Sequence, residues 1–459
     1  MRFSLRDGSP PTPKSHVISV LTPGLSSPRP LAKRQPRAYA PPRWWTFFWL
    51  AMSDAVNDAA LSDPIRVDRP AAGGGVGRAS DGRVVFVRHA LVGELVRVRV
   101  TGETSKFLRA DAVEVLEASS ERVVAPCAYA HPGGCGGCDL QHASSNAQLG
   151  WKAFLVAEQL RRVAGLTREV TVEPAPSPAH GSRTRVRCVV DEEGYLGLRQ
   201  YHSHETVTLD QCWIASPRLA EAFEHRWRGY GEVELRAIGD GEPFAVAWRE
   251  GFHGQFFDLR SLSNQAFDPT TVSRVNVSGT VMNVSPASFW QSHVDAPTVL
   301  SDAVMTNLAA EPGDHVVDFF SGVGLFSVAL ARVVGARGRI TAVESSPSAV
   351  RDARVNLEGL APFKVRQWQV SPRSIADAVY EGDLVVVDPP RTGLARGVAA
   401  ALARRRPRRV VYVSCDAATF ARDVANFARE GLNLQELRVF DLFPMTEHVE
   451  LVALLDSRS

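Results

Sequence analysis

Between residues 63 and 119 apolar side chains recur at every second position in short runs: PIRVDRP (64–70), GRVVFVRHA (82–90), ELVRVRVTGE (94–103) and DAVEVLEAS (111–119). That period marks half-buried strands, and Gly73, Gly74, Gly75 and Gly77 punctuate the first turn. Several short strands with glycine-rich turns predict a small OB-like β-barrel over 63–119, although the pattern fits other small barrels too. From Gln148 to Ala164 the period lengthens to that of an amphipathic helix. Mixed, β-rich sequence follows, so 120–285 reads as a central domain. From 286 to 459 strands alternate with Ala- and Arg-rich helical stretches. The strands are HVVDFF (315–320), GRITAVE (338–344), GDLVVVDPP (382–390), RRVVYVSC (408–415) and VELVALL (449–455). Such alternation predicts a Rossmann-like, doubly wound sheet, and an α/β fold class for the chain.

Residues 1–62 keep no period and are rich in Pro, Ser and Arg up to residue 51, so a disordered tail is expected. Met52 opens a stretch that reads as a natural start. No apolar run approaches the roughly 20 residues of a membrane span, and Trp44 to Leu50 is too short and too late for a secretory signal. A cytoplasmic protein is expected, with no membrane association and no obligate protein partner. The net charge of +2 hides an asymmetry: residues 1–51 carry eight basic side chains against Asp7 alone, which leaves the remainder at −5. Any affinity for nucleic acid must then come from local basic patches. Of six cysteines, Cys127, Cys135 and Cys138 crowd into twelve residues. In a reducing compartment such crowding indicates metal or cluster ligation rather than a disulfide framework.

The first strand of the C-terminal region runs into Ser321-Gly322-Val323-Gly324 and a helix beginning near Leu325. Two glycines at a strand-to-helix turn let the backbone approach a ligand, and Glu344, ending the next strand, can accept hydrogen bonds from ribose hydroxyls. Position 327 is Ser where a dinucleotide fingerprint would have its third glycine, and Asp318-x-x-x-Gly322-x-Gly324 is the form typical of S-adenosylmethionine enzymes. Three more strand ends carry chemistry. Asp388-Pro389-Pro390-Arg391 ends a strand with a rigid rim, and Arg391 stands where amino-group methyltransferases place an aromatic. Cys415 follows an apolar run, and Glu450 heads one, where burial should raise its pKa toward that of a general base. Carbon 5 of uracil is a poor nucleophile until a thiolate adds to carbon 6, and a base must then remove the carbon 5 proton. Cys415 suits the first role and Glu450 the second, with His448 as an alternative base.

These elements together resemble the RNA (uracil-5-)-methyltransferase family, from about residue 63 to 456, and within it the branch that methylates ribosomal RNA and carries an iron–sulfur cluster. The matching segments are Phe289-Trp290-Gln291, the loop Asp318 to Gly324, DPPR-x-G at 388–393, YVSC at 412–415 and FP-x-T-x-HVE at 443–450. The resemblance implies methyl transfer from S-adenosylmethionine to carbon 5 of a uridine through a Cys415 adduct, with Glu450 as proton acceptor. It also implies cofactor contacts from Gln291, Phe320, Glu344 and Asp388. Cys127, Cys135, Cys138 and Cys212 resemble the ligands of a [4Fe–4S] cluster, zinc being the alternative for four cysteines, while Cys188 is left over and expected to be buried. Asp416, Ala417, His293 and Leu325 depart from the family pattern. The barrel resembles a TRAM domain, an RNA-binding module. Arg183, Arg185 and Arg187 fall on one strand face, and the run from Arg404 to Arg409 reads as an exposed helix end. The target uridine must leave its stack to meet Cys415. Two other readings remain open: a transfer-RNA uridine methyltransferase, and an RNA-binding protein that kept the fold without activity.

Overall fold

A computed structural model describes residues 63–251, 254–260 and 271–457; the expected tail, residues 1–62 with Met52, lies outside the described residues. Six strands form the first sheet: β1 (Ile65–Arg66), β2 (Arg69–Ala71), β3 (Gly74–Arg78), β4 (Val84–Arg88), β5 (Leu95–Glu103) and β6 (Phe107–Glu117). Their order is β1-β5-β6-β4-β3-β2. Alternation does what the pleat requires: Val85, Val87, Val96, Val98, Leu108 and Ala110 turn inward to a core of their own.

The helix Ser145–Gln159 starts three residues before the apolar period does, because the Ser144 hydroxyl accepts the Ala147 N–H and caps it. It runs on through a wider turn at Leu160–Ala164. β7 (Val172–Pro174) follows, then a second, wholly antiparallel sheet. Its strands are β8 (Arg185–Val190), β9 (Leu196–Arg199), β10 (Thr206–Thr208), β11 (Glu232–Arg236), β12 (Phe244–Trp248) and β13 (Gln255–Asp258), in the order β10-β9-β8-β11-β12-β13. The leftover Cys188 is buried in its core. A hairpin, β14 (Ser273–Val277) and β15 (Thr280–Val284), leads into the last sheet.

That sheet comprises β16 (His315–Phe319), β17 (Arg339–Glu344), β18 (Phe363–Gln367), β19 (Leu384–Val387), β20 (Arg409–Ser414), β21 (Asn433–Asp441) and β22 (Glu450–Asp456), with β7 added at one edge. The order is β18-β17-β16-β19-β20-β22-β21-β7, and only β22 runs against its neighbours. β19 is buried at all four positions, as a parallel strand covered on both faces must be. Strand order reverses between β16 and β19, and open α/β sheets bind ligands at the carboxyl ends beside such a reversal. Although residues 145–174 precede the second sheet in sequence, they pack here: the helix Ser145–Gln159 lies against the helix Ala417–Arg429, and β7 pairs with β21.

Candidate active site

The cofactor half is built at the end of β16. Phe320 leaves the strand at φ +61°, and Gly322 and Gly324 follow at +53° and +90°. A side chain at Gly322 would meet nothing within 4 Å, so it would project into open space. Asp318 is fully buried; one carboxyl oxygen accepts the Ser327 N–H (3.1 Å) and hydroxyl (2.6 Å), and the other has no partner. Burial pushes this carboxyl up to about 7. The Ser321 hydroxyl is also buried and unpartnered. Glu344, ending β17, pins the turn: one oxygen accepts the Gly322 N–H (3.0 Å), the other the N–H groups of Ser345 (2.6 Å) and Ser346 (2.7 Å).

The other half of the site is set by strand register. β20 and β22 pair Ser414 with Leu451, so one further step places Cys415 opposite Glu450 at the open end of the ladder. Both side chains line the same cavity of about 730 Å³ as Gln291, Phe320, Gly322, Glu344, Asp388 and Arg391. All six residues expected to act in catalysis or cofactor binding thus meet in one place. Burial, then the Asp388 charge, pushes the Glu450 carboxyl well above its ordinary range, against the pull of Arg391. Burial, then the Glu450 charge, pushes the Cys415 thiol up to about 11, and the Arg391 charge opposes both. Asp388 is raised to about 7 by burial. His448 does not line the cavity, and burial with the nearby Arg391 and Arg183 charges takes it down to about 4. Asp416, one of the departures, is an N-cap: its carboxylate accepts the Thr419 N–H at 2.8 Å and starts the helix Ala417–Arg429.

Cys127, Cys135, Cys138 and Cys212 line the far wall of the same cavity, all as free thiols. Burial raises each of them. Among the described residues, no three His, Cys, Asp or Glu side chains come close enough to hold a single metal ion. Gln141 accepts the Cys127 N–H at 3.1 Å.

Sequence reasoning gives two cavity residues no role of their own, Arg391 and Phe289, and places a third, Arg183, only on a basic strand face. Arg391 stands out there only for the aromatic it replaces, yet it is the cation facing Cys415 and Glu450. Phe289 is 55% exposed with the Arg185 guanidinium 5.5 Å from its ring, while its neighbour Trp290 turns into the core. Arg183, Arg185 and Arg187 all line the cavity; Arg185 and Arg187 also ion-pair with Glu234 and Glu232 on β11. The arginine run is spent at the opposite end of the sheet: Arg405 donates to the Val379 carbonyl, Arg408 pairs with Asp314, and Arg409 donates to the Leu308 carbonyl.

A parallel sheet with a glycine turn after its first strand and an acid after its second is the architecture of a class I S-adenosylmethionine-dependent methyltransferase. The residues fit that cofactor, since the turn leaves a side-chain-sized gap at Gly322 and unpartnered polar atoms beside it. Residues 274–458 match the family described as tRNA (Uracil-5-)-methyltransferase, and residues 66–113 match the TRAM domain. An RNA methyltransferase of Streptomyces avermitilis is 40% identical over 423 residues, covering 84% of this chain and 96% of the relative. The 23S rRNA (uracil(1939)-C(5))-methyltransferase RlmD of Acinetobacter baylyi is 32% identical, over 82% of this chain and 89% of its own. Among solved structures, Pyrococcus abyssi tRNA (uracil-54, C5)-methyltransferase in complex with S-adenosyl-L-homocysteine superposes with a TM-score of 0.61 at 26% identity, covering 85% of this chain and 100% of that one. The chain belongs to the RNA (uracil-5-)-methyltransferase family. No helix among the described residues is long and apolar enough to cross a membrane.

Proposed function

We propose that this protein methylates carbon 5 of a uridine in ribosomal RNA, in the cytoplasm, through a covalent bond between Cys415 and carbon 6 of the ring. The observation that carries the reading is the β20–β22 register, which sets Cys415 and Glu450 opposite one another in the cavity of the glycine turn. Gln291, Phe320, Glu344 and Asp388 are the residues to hold S-adenosylmethionine. Bound there, it supplies an electrophilic methyl group and a positive charge that favours the anionic forms of its neighbours.

Arg391 stabilises the Cys415 thiolate once the thiol proton has passed to solvent. The thiolate adds to carbon 6, making a sulfur–carbon bond and an enolate whose carbon 5 would take the methyl group as the methyl–sulfonium bond breaks, with S-adenosylhomocysteine as the leaving group. Glu450, as carboxylate, then removes the carbon 5 proton; the ring double bond re-forms as the sulfur–carbon bond breaks. Phe289 and Arg183 offer a flat ring and a cation to a base turned out of its stack. The TRAM barrel and the similarity to RlmD favour ribosomal RNA, while the similarity to the archaeal enzyme keeps transfer RNA as the second substrate to test.

Cys127, Cys135, Cys138 and Cys212 are the residues to hold a [4Fe–4S] cluster. Four cysteines could equally hold one tetrahedral zinc; the resemblance to the iron–sulfur branch is what favours the cluster. A four-iron cube takes one thiolate at each corner. It would tie the cysteine loop to Cys212 and has no part in the steps above. Iron and sulfide analysis of protein purified without air tests this; one zinc and no iron overturns it.

Glu450→Gln should lower turnover by about 10²- to 10⁴-fold and accumulate a protein–RNA adduct that survives denaturation, whereas Cys415→Ser should form none. Turnover by Cys415→Ser, or no adduct with Glu450→Gln, overturns the mechanism. Mapping 5-methyluridine in ribosomal and transfer RNA, with and without the gene, decides the substrate.

A further inference from the structure

The loop that delivers Glu450 makes its main polar contacts with residues 289 to 374 positions earlier in the chain. Lys152 ion-pairs with Asp441 and donates to the Phe443 carbonyl at 3.0 Å. The Gln148 carboxamide brackets Met445: its oxygen accepts the Met445 N–H (2.9 Å), and its nitrogen donates to the Met445 sulfur (3.3 Å). The Met445 carbonyl accepts two backbone N–H groups, from Asp139 and Leu140, each at 2.9 Å. Those two residues directly follow Cys138. Glu447 accepts the Gly73 N–H of the barrel at 2.7 Å. Met445 itself lies at φ +67°, a left-handed conformation that a side chain of this kind rarely takes without outside support. Local bonds are few: Thr446 donates to the Phe443 carbonyl, and His448 N–H reaches the Thr446 hydroxyl at 3.3 Å. The loop is therefore held from outside, and β22 starts with Glu450 immediately beyond it.

We propose that Gln148, together with the backbone of Asp139 and Leu140, positions Glu450 by fixing Met445, so that the helix and the cysteine loop govern proton removal without touching substrate. Gln148 is a positioning residue in this scheme, which rests on Glu450 being the proton acceptor. Lys152 and Glu447 brace the two ends of the same loop. A base displaced by a fraction of an ångström would leave thiolate addition and methyl transfer intact and stall the last step.

Two RNA substrates separate those steps. With 5-fluorouridine at the target, methylated carbon 5 has no proton to lose and fluorine cannot leave as a cation, so adduct formation reports everything before Glu450 acts. With uridine, release depends on Glu450. Gln148→Leu should form the fluorouridine adduct within about twofold of the wild-type rate. Its turnover on uridine should fall about a hundredfold, with a denaturation-resistant adduct accumulating as in Glu450→Gln. Glu447→Ala, at a less central brace, should show the same split at about tenfold, and it decides the matter if Gln148→Leu fails to fold. Unchanged turnover, or an equal loss on both substrates, overturns the proposal. Adduct accumulation in Glu450→Gln but not in the loop variants overturns the positioning role alone; its absence in Glu450→Gln removes the base assignment and this proposal with it.

Discussion

Asp388 sits in the cavity with no ion pair to its carboxyl among the described residues, and burial raises it to about 7. The folded protein therefore holds this proton more tightly than the unfolded chain does. Between the unfolded value near 3.8 and about 7, stability must fall as pH rises, and above 7 the loss is complete. His89, His142 and His448 act in the opposite sense, because burial lowers them and folding then resists their protonation. A bare pH profile mixes these contributions, whereas a variant isolates one. Asp388→Asn should gain on the wild type by an amount that grows from pH 4 to 7 and then levels, on the order of a few kcal/mol. Urea denaturation of cofactor-free protein across that range checks it; an offset independent of pH would refute the assignment. Gly322 is a second residue-scale case. Gly322→Ala forces a methyl group at φ +53° into the space proposed for the cofactor. Affinity for S-adenosylhomocysteine, measured by calorimetric titration, should fall at least about tenfold, or ~1.4 kcal/mol, while the fold survives.

At the scale of elements, the parallel strands are legible because burial on both faces leaves a continuous apolar run, as in Leu384–Val387. β18 and β21 are not, since Lys364, Arg366, Gln435 and Glu436 break any such run. β7 carries only three residues and gains its place from β21, more than 250 positions away, which no local pattern encodes. The spacing of Arg183, Arg185 and Arg187 puts them on one face, and all three line the cavity, but the ion pairs that hold Arg185 and Arg187 depend on Glu234 and Glu232 across the sheet. Asp416 departs from the pattern that the resemblance implies, in which Asn follows the Ser-Cys pair. As an N-cap the two are nearly equivalent. Asp416→Asn should leave stability within a few tenths of a kcal/mol, whereas Asp416→Ala should cost about 1 kcal/mol, both read from denaturant midpoints. Equal damage from Asn and Ala would show that the carboxylate has another task beside Cys415.

Across the whole molecule, the site is assembled from segments that the sequence presents far apart. The glycine turn, Cys415 and Glu450 come from one sheet, yet the loop before Glu450 leans on the barrel through Gly73 and on the helix Ser145–Gln159 through Gln148 and Lys152. Lys152 is the sharpest instance: it is completely buried, and burial lowers its pKa while Asp441 holds it up. No periodicity could have announced this, because a lysine in a helix reads as a solvent-facing charge. A buried pair is weak evidence of net stabilisation, but breaking one partner strands the other. Lys152→Met should cost roughly 3–5 kcal/mol in urea denaturation, since Asp441 stays behind without its cation. Adding Asp441→Asn should restore much of that loss, though not all, because the Phe443 carbonyl still lacks the donor at 3.0 Å. If the double variant is no more stable than Lys152→Met alone, the ion pair is not what joins the helix to the catalytic sheet, and the carbonyl contact carries the connection by itself.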